Sequence, residues 1–100
     1  MSSLPKISVI GAGNVGSSAA YRALELNLAN VVLLDIVDGL PQGKALDMTQ
    51  MLSVTGSSSR IIGTTDYSET KNSDIVIITS GLVLSIASIT LSLLRRSNLI

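Results

Sequence analysis

Histidine and cysteine are both missing from the hundred residues. Without cysteine there is no disulfide and no thiol chemistry, which fits a reducing compartment. Without histidine the commonest general base near neutral pH and the commonest metal ligand are gone. Neither sign of charge dominates: seven Lys and Arg face seven Asp and Glu, so nothing draws nucleic acid or an acidic partner. The N-terminus reaches a strand-like run at Lys6 with no long apolar segment before it, so no secretory signal is expected and a cytoplasmic location is. Asp38, Asp47, Asp66 and Glu69 lack metal-site or acid–base spacing and read as solvated surface charges. The only aromatics, Tyr21 and Tyr67, and the three methionines read as packing residues rather than ligand groups.

What is present is apolar. At 46% hydrophobic residues the chain is long enough and rich enough for one core. Lys6–Ile10 (KISVI) is short, β-branched and runs into glycines, the pattern of a buried strand. Val15–Leu28 carries Val15, Ala19, Ala23 and Leu26 at near-helical spacing. Val31–Ile36 (VVLLDI) is a second buried strand. Pro41–Leu52 is a second helix, with Pro41 in its first turn and Ala45, Met48 and Leu52 along one side. Ser53–Ser59 reads as a loop, Arg60–Gly63 and Asp74–Thr79 as two further strands. Strands alternating with helices predict an α/β fold with a parallel sheet and right-handed crossovers.

One stretch carries chemistry. Gly11-Ala12-Gly13-Asn14-Val15-Gly16 is a G-x-G-x-x-G with a strand before it, a helix opening inside it and an acid ending the next strand. Gly11 permits the tight turn, Gly13 lets a pyrophosphate approach the backbone, and Gly16 lets the helix pack closely on the strand. Phosphates would then meet N–H groups at a helix N-terminus, where the dipole favours negative charge. Asp35, nineteen residues beyond Gly16, can accept hydrogen bonds from both adenosine-ribose hydroxyls. It would repel a 2′-phosphate, and Ile36 brings no compensating charge, so NAD is favoured over NADP. A plain strand–helix turn, or an FAD or S-adenosylmethionine site, would use similar glycines. Thr79-Ser80-Gly81, at the end of the last strand, either lines the cofactor or is an ordinary turn.

The residues KISVIGAGNVGSSAA, VVLLDIVDGLPQGKALDM and GTTDYSETKNSDIVIITSG resemble the N-terminal half of the lactate/malate dehydrogenases, closest to the lactate-dehydrogenase-like malate dehydrogenases. The similarity spans about residues 6–81. It implies a partial Rossmann domain with strand order 3-2-1-4, whose fourth strand is an exposed apolar edge. By resemblance Gly11, Ala12, Gly13, Asn14, Val15 and Gly16 bind the NAD pyrophosphate, and Asp35 and Ile36 border the adenosine ribose. Thr79, Ser80 and Gly81 pass along the cofactor. The helix around Gln42–Met51 lies at a subunit interface, since the family forms dimers or tetramers. The activity implied is hydride transfer between NAD and malate or oxaloacetate, with lactate as the alternative substrate.

The departure from the family is equally legible. A Pro/Arg/Gly-rich substrate loop is expected after Gly81, and Leu82–Ala87 contains none of those residues. The catalytic histidine and substrate arginines have no counterpart, so no catalytic residue and no metal site is assigned. The expected division is a domain over 1–81 and an apolar tail over 82–100, for which a shift of reading frame would account. The uncharged run Ile75–Leu94 equals a membrane span in length, so a membrane-anchored nucleotide-binding module is the competing reading. Its first part is explained as a buried strand, and the remaining Leu82–Leu94 is too short to span.

Overall fold

The computed structural model describes residues 4–79. The expectations for Ser80, Gly81 and the tail over 82–100 lie outside those residues. The described chain runs β1 (Lys6–Ile10), α1 (Asn14–Glu25), β2 (Asn30–Leu34), α2 (Leu40–Thr55), β3 (Ile61–Thr64), a 3-10 turn (Tyr67–Thr70) and β4 (Ile75–Ile78). The four strands form one parallel sheet in the order β3-β2-β1-β4. Val9 lies opposite Leu33 and Ile77, and Leu33 opposite Gly63, so the odd-numbered residues of these strands share a face.

Both helices lie on that face. Ala20, Ala23 and Leu24 of α1 and Ala45, Met48 and Leu52 of α2 join Val9, Val31, Leu33 and Ile61 in the main core. Each fully buried aliphatic side chain, such as Leu24 or Leu33, contributes on the order of 1.5–3 kcal/mol. The link from β3 to β4 runs the other way along the sheet, so a right-handed crossover must take the opposite face. There Tyr67 packs on Ile10 and Leu34. The buried Ser8 pairs its hydroxyl with Ser73, whose hydroxyl reaches the Thr70 carbonyl. Residues 65–74 therefore cross the second face as a diagonal strap. Ile75 and Ile78 remain about half exposed on β4.

Asp66 caps the 3-10 turn, its carboxylate accepting from the Ser68 amide at 2.9 Å. Hydrogen bonds from the Ser68 amide and then its side chain hold the Asp66 carboxyl below its ordinary 3.8. A depressed carboxyl stabilises the fold above its unfolded value and loses that contribution as pH falls through the folded one. Asp66→Ala should therefore lower the urea midpoint near neutral pH, with the gap to the parent closing once the pH is below the ordinary value. A gap independent of pH would rule out the charge as its source.

Three sequence expectations are corrected. Helix α1 stops at Glu25 rather than Leu28, because Asn27 turns left-handed (φ 56). The Asn27 amide then bonds the Leu24 carbonyl and the Leu28 amide that of Ala23, closing the helix end. Its inward face is also rotated by one residue. Gly16, Ala20, Ala23 and Leu24 are buried while Val15 is 72% exposed and Leu26 is exposed too. Helix α2 continues through Ser53 to Thr55, where the Ser53 and Thr55 hydroxyls bond carbonyls three residues back, and Gly56 (φ 76) ends it.

Candidate functional site

Gly11 leaves β1 with φ +107, a conformation that L side chains rarely adopt. Its amide bonds the Leu34 carbonyl at 2.7 Å, tying the turn to β2. A Cβ on Gly11 would meet the Thr79 side chain, and one on Gly16 would overlap the Gly11 carbonyl oxygen. A Cβ on Gly13 would meet nothing within 4 Å. Two glycines of the motif thus serve internal packing, while the third keeps open space in front of the turn. Gly13 is also the N-cap of α1, whose first intrahelical bond is from Ser17 N to Gly13 O at 2.9 Å. The amides of Asn14, Val15 and Gly16 stand ahead of that bond at the positive end of the helix dipole.

Asp35 follows β2 and is 8% exposed. One carboxylate oxygen accepts from the buried Ala12 amide at 2.7 Å, and the other from the Val37 amide at 3.1 Å. The acid expected to face a ribose is also a brace for the glycine turn.

The space before the turn is a cavity of about 280 Å³. Gly11, Gly13, Asn14, Val15 and Gly16 supply one wall; Asp35, Leu40 and Thr79 supply the rest. The one-residue rotation of α1 is what turns Val15 toward this space. Ala12 lies behind the wall, fully buried, and reaches the site only through its bond to Asp35. Ile36 is exposed and is not part of the lining; Ser80 and Gly81 lie outside the described residues. Leu40 was not singled out from sequence. The only signal was an apolar residue opening the helix just after the acid, which periodicity assigns to the core.

The chemistry of this cavity is specific. Among the described residues no lysine or arginine lines it, so there an anion would be held by backbone N–H groups and the helix dipole. Among the described lining residues the charge is the Asp35 carboxylate, suited to accept from hydroxyls and hostile to a second phosphate. The residues therefore fit a dinucleotide with a free ribose 2′-hydroxyl. A larger groove of about 460 Å³ lies where the end of α2 meets the start of β3. Its Ser58 and Ser59 hydroxyls already donate to the Asn27 side chain and its Ser57 hydroxyl to the Leu24 carbonyl, and among the described residues it holds no paired titratable groups. Among the described residues no cluster of Asp or Glu could hold a metal ion, and no helix is long and apolar enough to cross a membrane.

Comparison with known proteins agrees with this geometry. A malate dehydrogenase of Dehalococcoides mccartyi is 57% identical over 79 residues, covering 79% of this chain and 26% of that protein. The lactate dehydrogenase of Cryptosporidium parvum, solved with lactic acid and β-nicotinamide adenine dinucleotide, superposes with a TM-score of 0.77 at 50% identity, over 82% of this chain and 26% of that one. The malate dehydrogenase of the same organism gives 0.76 at 44% identity, over 79% and 25%. The chain thus spans about a quarter of the length of these relatives. Residues 5–85 match the family described as lactate/malate dehydrogenase, NAD binding domain, and with the glycine turn, the braced acid and the 3-2-1-4 sheet in place, the chain belongs to that family as an NAD-binding N-terminal part.

Proposed function

We propose that these residues seat NAD for a malate dehydrogenase. The single observation that carries this is the Asp35 carboxylate, fixed beside the glycine turn in a cavity with no cation among its described lining residues. The amides of Gly13, Asn14, Val15 and Gly16 receive the pyrophosphate, and Gly11 and Ala12 shape the turn behind them. Asp35 accepts from the adenosine-ribose hydroxyls, with Ile36 and Leu40 on the adenosine side and Thr79, Ser80 and Gly81 along the remaining length. NAD, when bound, carries the hydride to or from the substrate carbon. Malate is favoured over lactate because the curated relatives at 56–57% identity are malate dehydrogenases. The half-identical lactate dehydrogenase keeps lactate as the second reading. The outer side of α2, with Leu46, Met51 and Val54 exposed, suits a homo-oligomer contact, and a cytoplasmic site of action fits the cofactor.

No histidine stands in the sequence, so no imidazole can move the proton that accompanies hydride transfer. The chain at this length should bind NADH weakly, bind NADPH more weakly still, and not reduce oxaloacetate. Fluorescence titration with the two nucleotides and the loss of NADH absorbance in the presence of oxaloacetate check this. Equal binding of NADPH would overturn the cofactor reading, and measurable turnover would overturn the division of labour.

A further inference from the structure

Thr79 directly follows β4, and its side chain is directed at the backbone of the glycine turn. Its amide donates to the Ile10 carbonyl at 2.9 Å, adding one rung to the β1–β4 ladder. Its hydroxyl donates to the same carbonyl at 3.0 Å and, in a longer arm, to the Gly11 carbonyl at 3.3 Å. The same oxygen lies 3.1 Å from where a Gly16 Cβ would stand, so it fills the seam between β1, α1 and β4. On the other flank Asp35 accepts from Ala12. The turn is therefore gripped from both neighbouring strands, at successive residues and through groups of opposite polarity.

A hydroxyl has one proton. That of Thr79 is directed at main-chain carbonyls, leaving only lone pairs, which repel a phosphate oxygen. We propose that Thr79 is a positioning residue: its hydroxyl holds the Gly11 peptide so that the amides at the start of α1 stay aimed at the cofactor, and it does not itself donate to the cofactor. The proposal rests on the reading of the cavity as the NAD seat and adds a coupling to it. The pyrophosphate turn is ordered only when β4 is docked on β1, so cofactor affinity depends on a strand that contributes no charge.

The test uses the full chain with Thr79→Val, which keeps the shape and removes the hydroxyl, Thr79→Ser, which keeps the hydroxyl, and Thr79→Ala, should valine prevent folding. Losing one such hydrogen bond should weaken NADH binding by roughly five- to tenfold in the Val or Ala variant, with Ser restoring most of the affinity. In the nucleotide-free protein, the NMR amide signals of Gly11, Ala12, Gly13 and Gly16 should shift or broaden in Val and Ala, and not in Ser. Unchanged affinity with unchanged turn signals overturns the proposal. A Ser variant as weak as Val overturns it as well, because the hydroxyl is then not the acting group. If the parent chain binds no NADH, the cofactor reading fails by itself, and the amide signals still decide whether Thr79 orders the turn.

Discussion

Replacing Gly16 with alanine should unfold much of the protein, whereas the same change at Gly13 should leave it folded and impair only binding. The added carbon at position 16 would overlap the Gly11 carbonyl oxygen and press on Thr79 Oγ1. Its main obstacle is backbone, which no rotamer change relieves, so α1 must move away from β1. Overpacking of this kind costs about 3 kcal/mol or more when the backbone has to shift. A domain of this size has on the order of 5 kcal/mol in total. Urea unfolding followed by circular dichroism should show Gly16→Ala without a stable native baseline. Gly13 has φ −73 and open space around its missing carbon, so its alanine variant should unfold with the parent. The new methyl would project where the backbone meets the pyrophosphate, and NADH affinity should fall about tenfold or more, the size of a lost close polar contact. Equal unfolding midpoints for the two variants would show that the division of tasks between the glycines is wrong.

Asp35→Ala should have the largest effect on binding. Two hydrogen bonds from ribose hydroxyls to a charged acceptor contribute roughly 1.5–3 kcal/mol each, so NADH affinity should drop by about a hundredfold or more. The variant should also be less stable, because the Ala12 amide is buried and loses its acceptor, at about 1–3 kcal/mol. Asp35→Asn separates the two tasks. Its side-chain carbonyl can still accept from Ala12, so most of the stability should return. The lost charge should leave NADH binding weakened and narrow the preference over NADPH. If Asn matches the parent in both nucleotide preference and affinity, the carboxylate charge plays no part in recognition.

The outcome at Asp35 shows how far sequence reasoning reaches at this site. Its place at the end of VVLLD and its spacing from Gly16 suffice to expect it beside the glycine turn, where the structure puts it. Its bond to Ala12 joins residues 23 apart and has no local signature. Val15 shows the reverse: by periodicity it belonged to the core face of α1, and it instead lines the cavity. Gly63 is a further case. In RIIG it looks like the end of a strand, yet a Cβ there would run into the Pro41 peptide, 2.6 Å from Gln42 N, so it is the place where α2 closes on β3.

The order of strands and helices, the glycine turn and the acid that follows it are local properties. Residue alternation, glycine spacing and the clean apolar runs of strands buried on both faces suffice to read them from the chain alone. The rotation of α1, the strap across the second face, the brace from Asp35 and the grip of Thr79 were decided only by the tertiary structure. Each depends on how closely two segments distant in sequence approach, and that distance is set by packing against backbone atoms, which leave no periodic mark in the sequence.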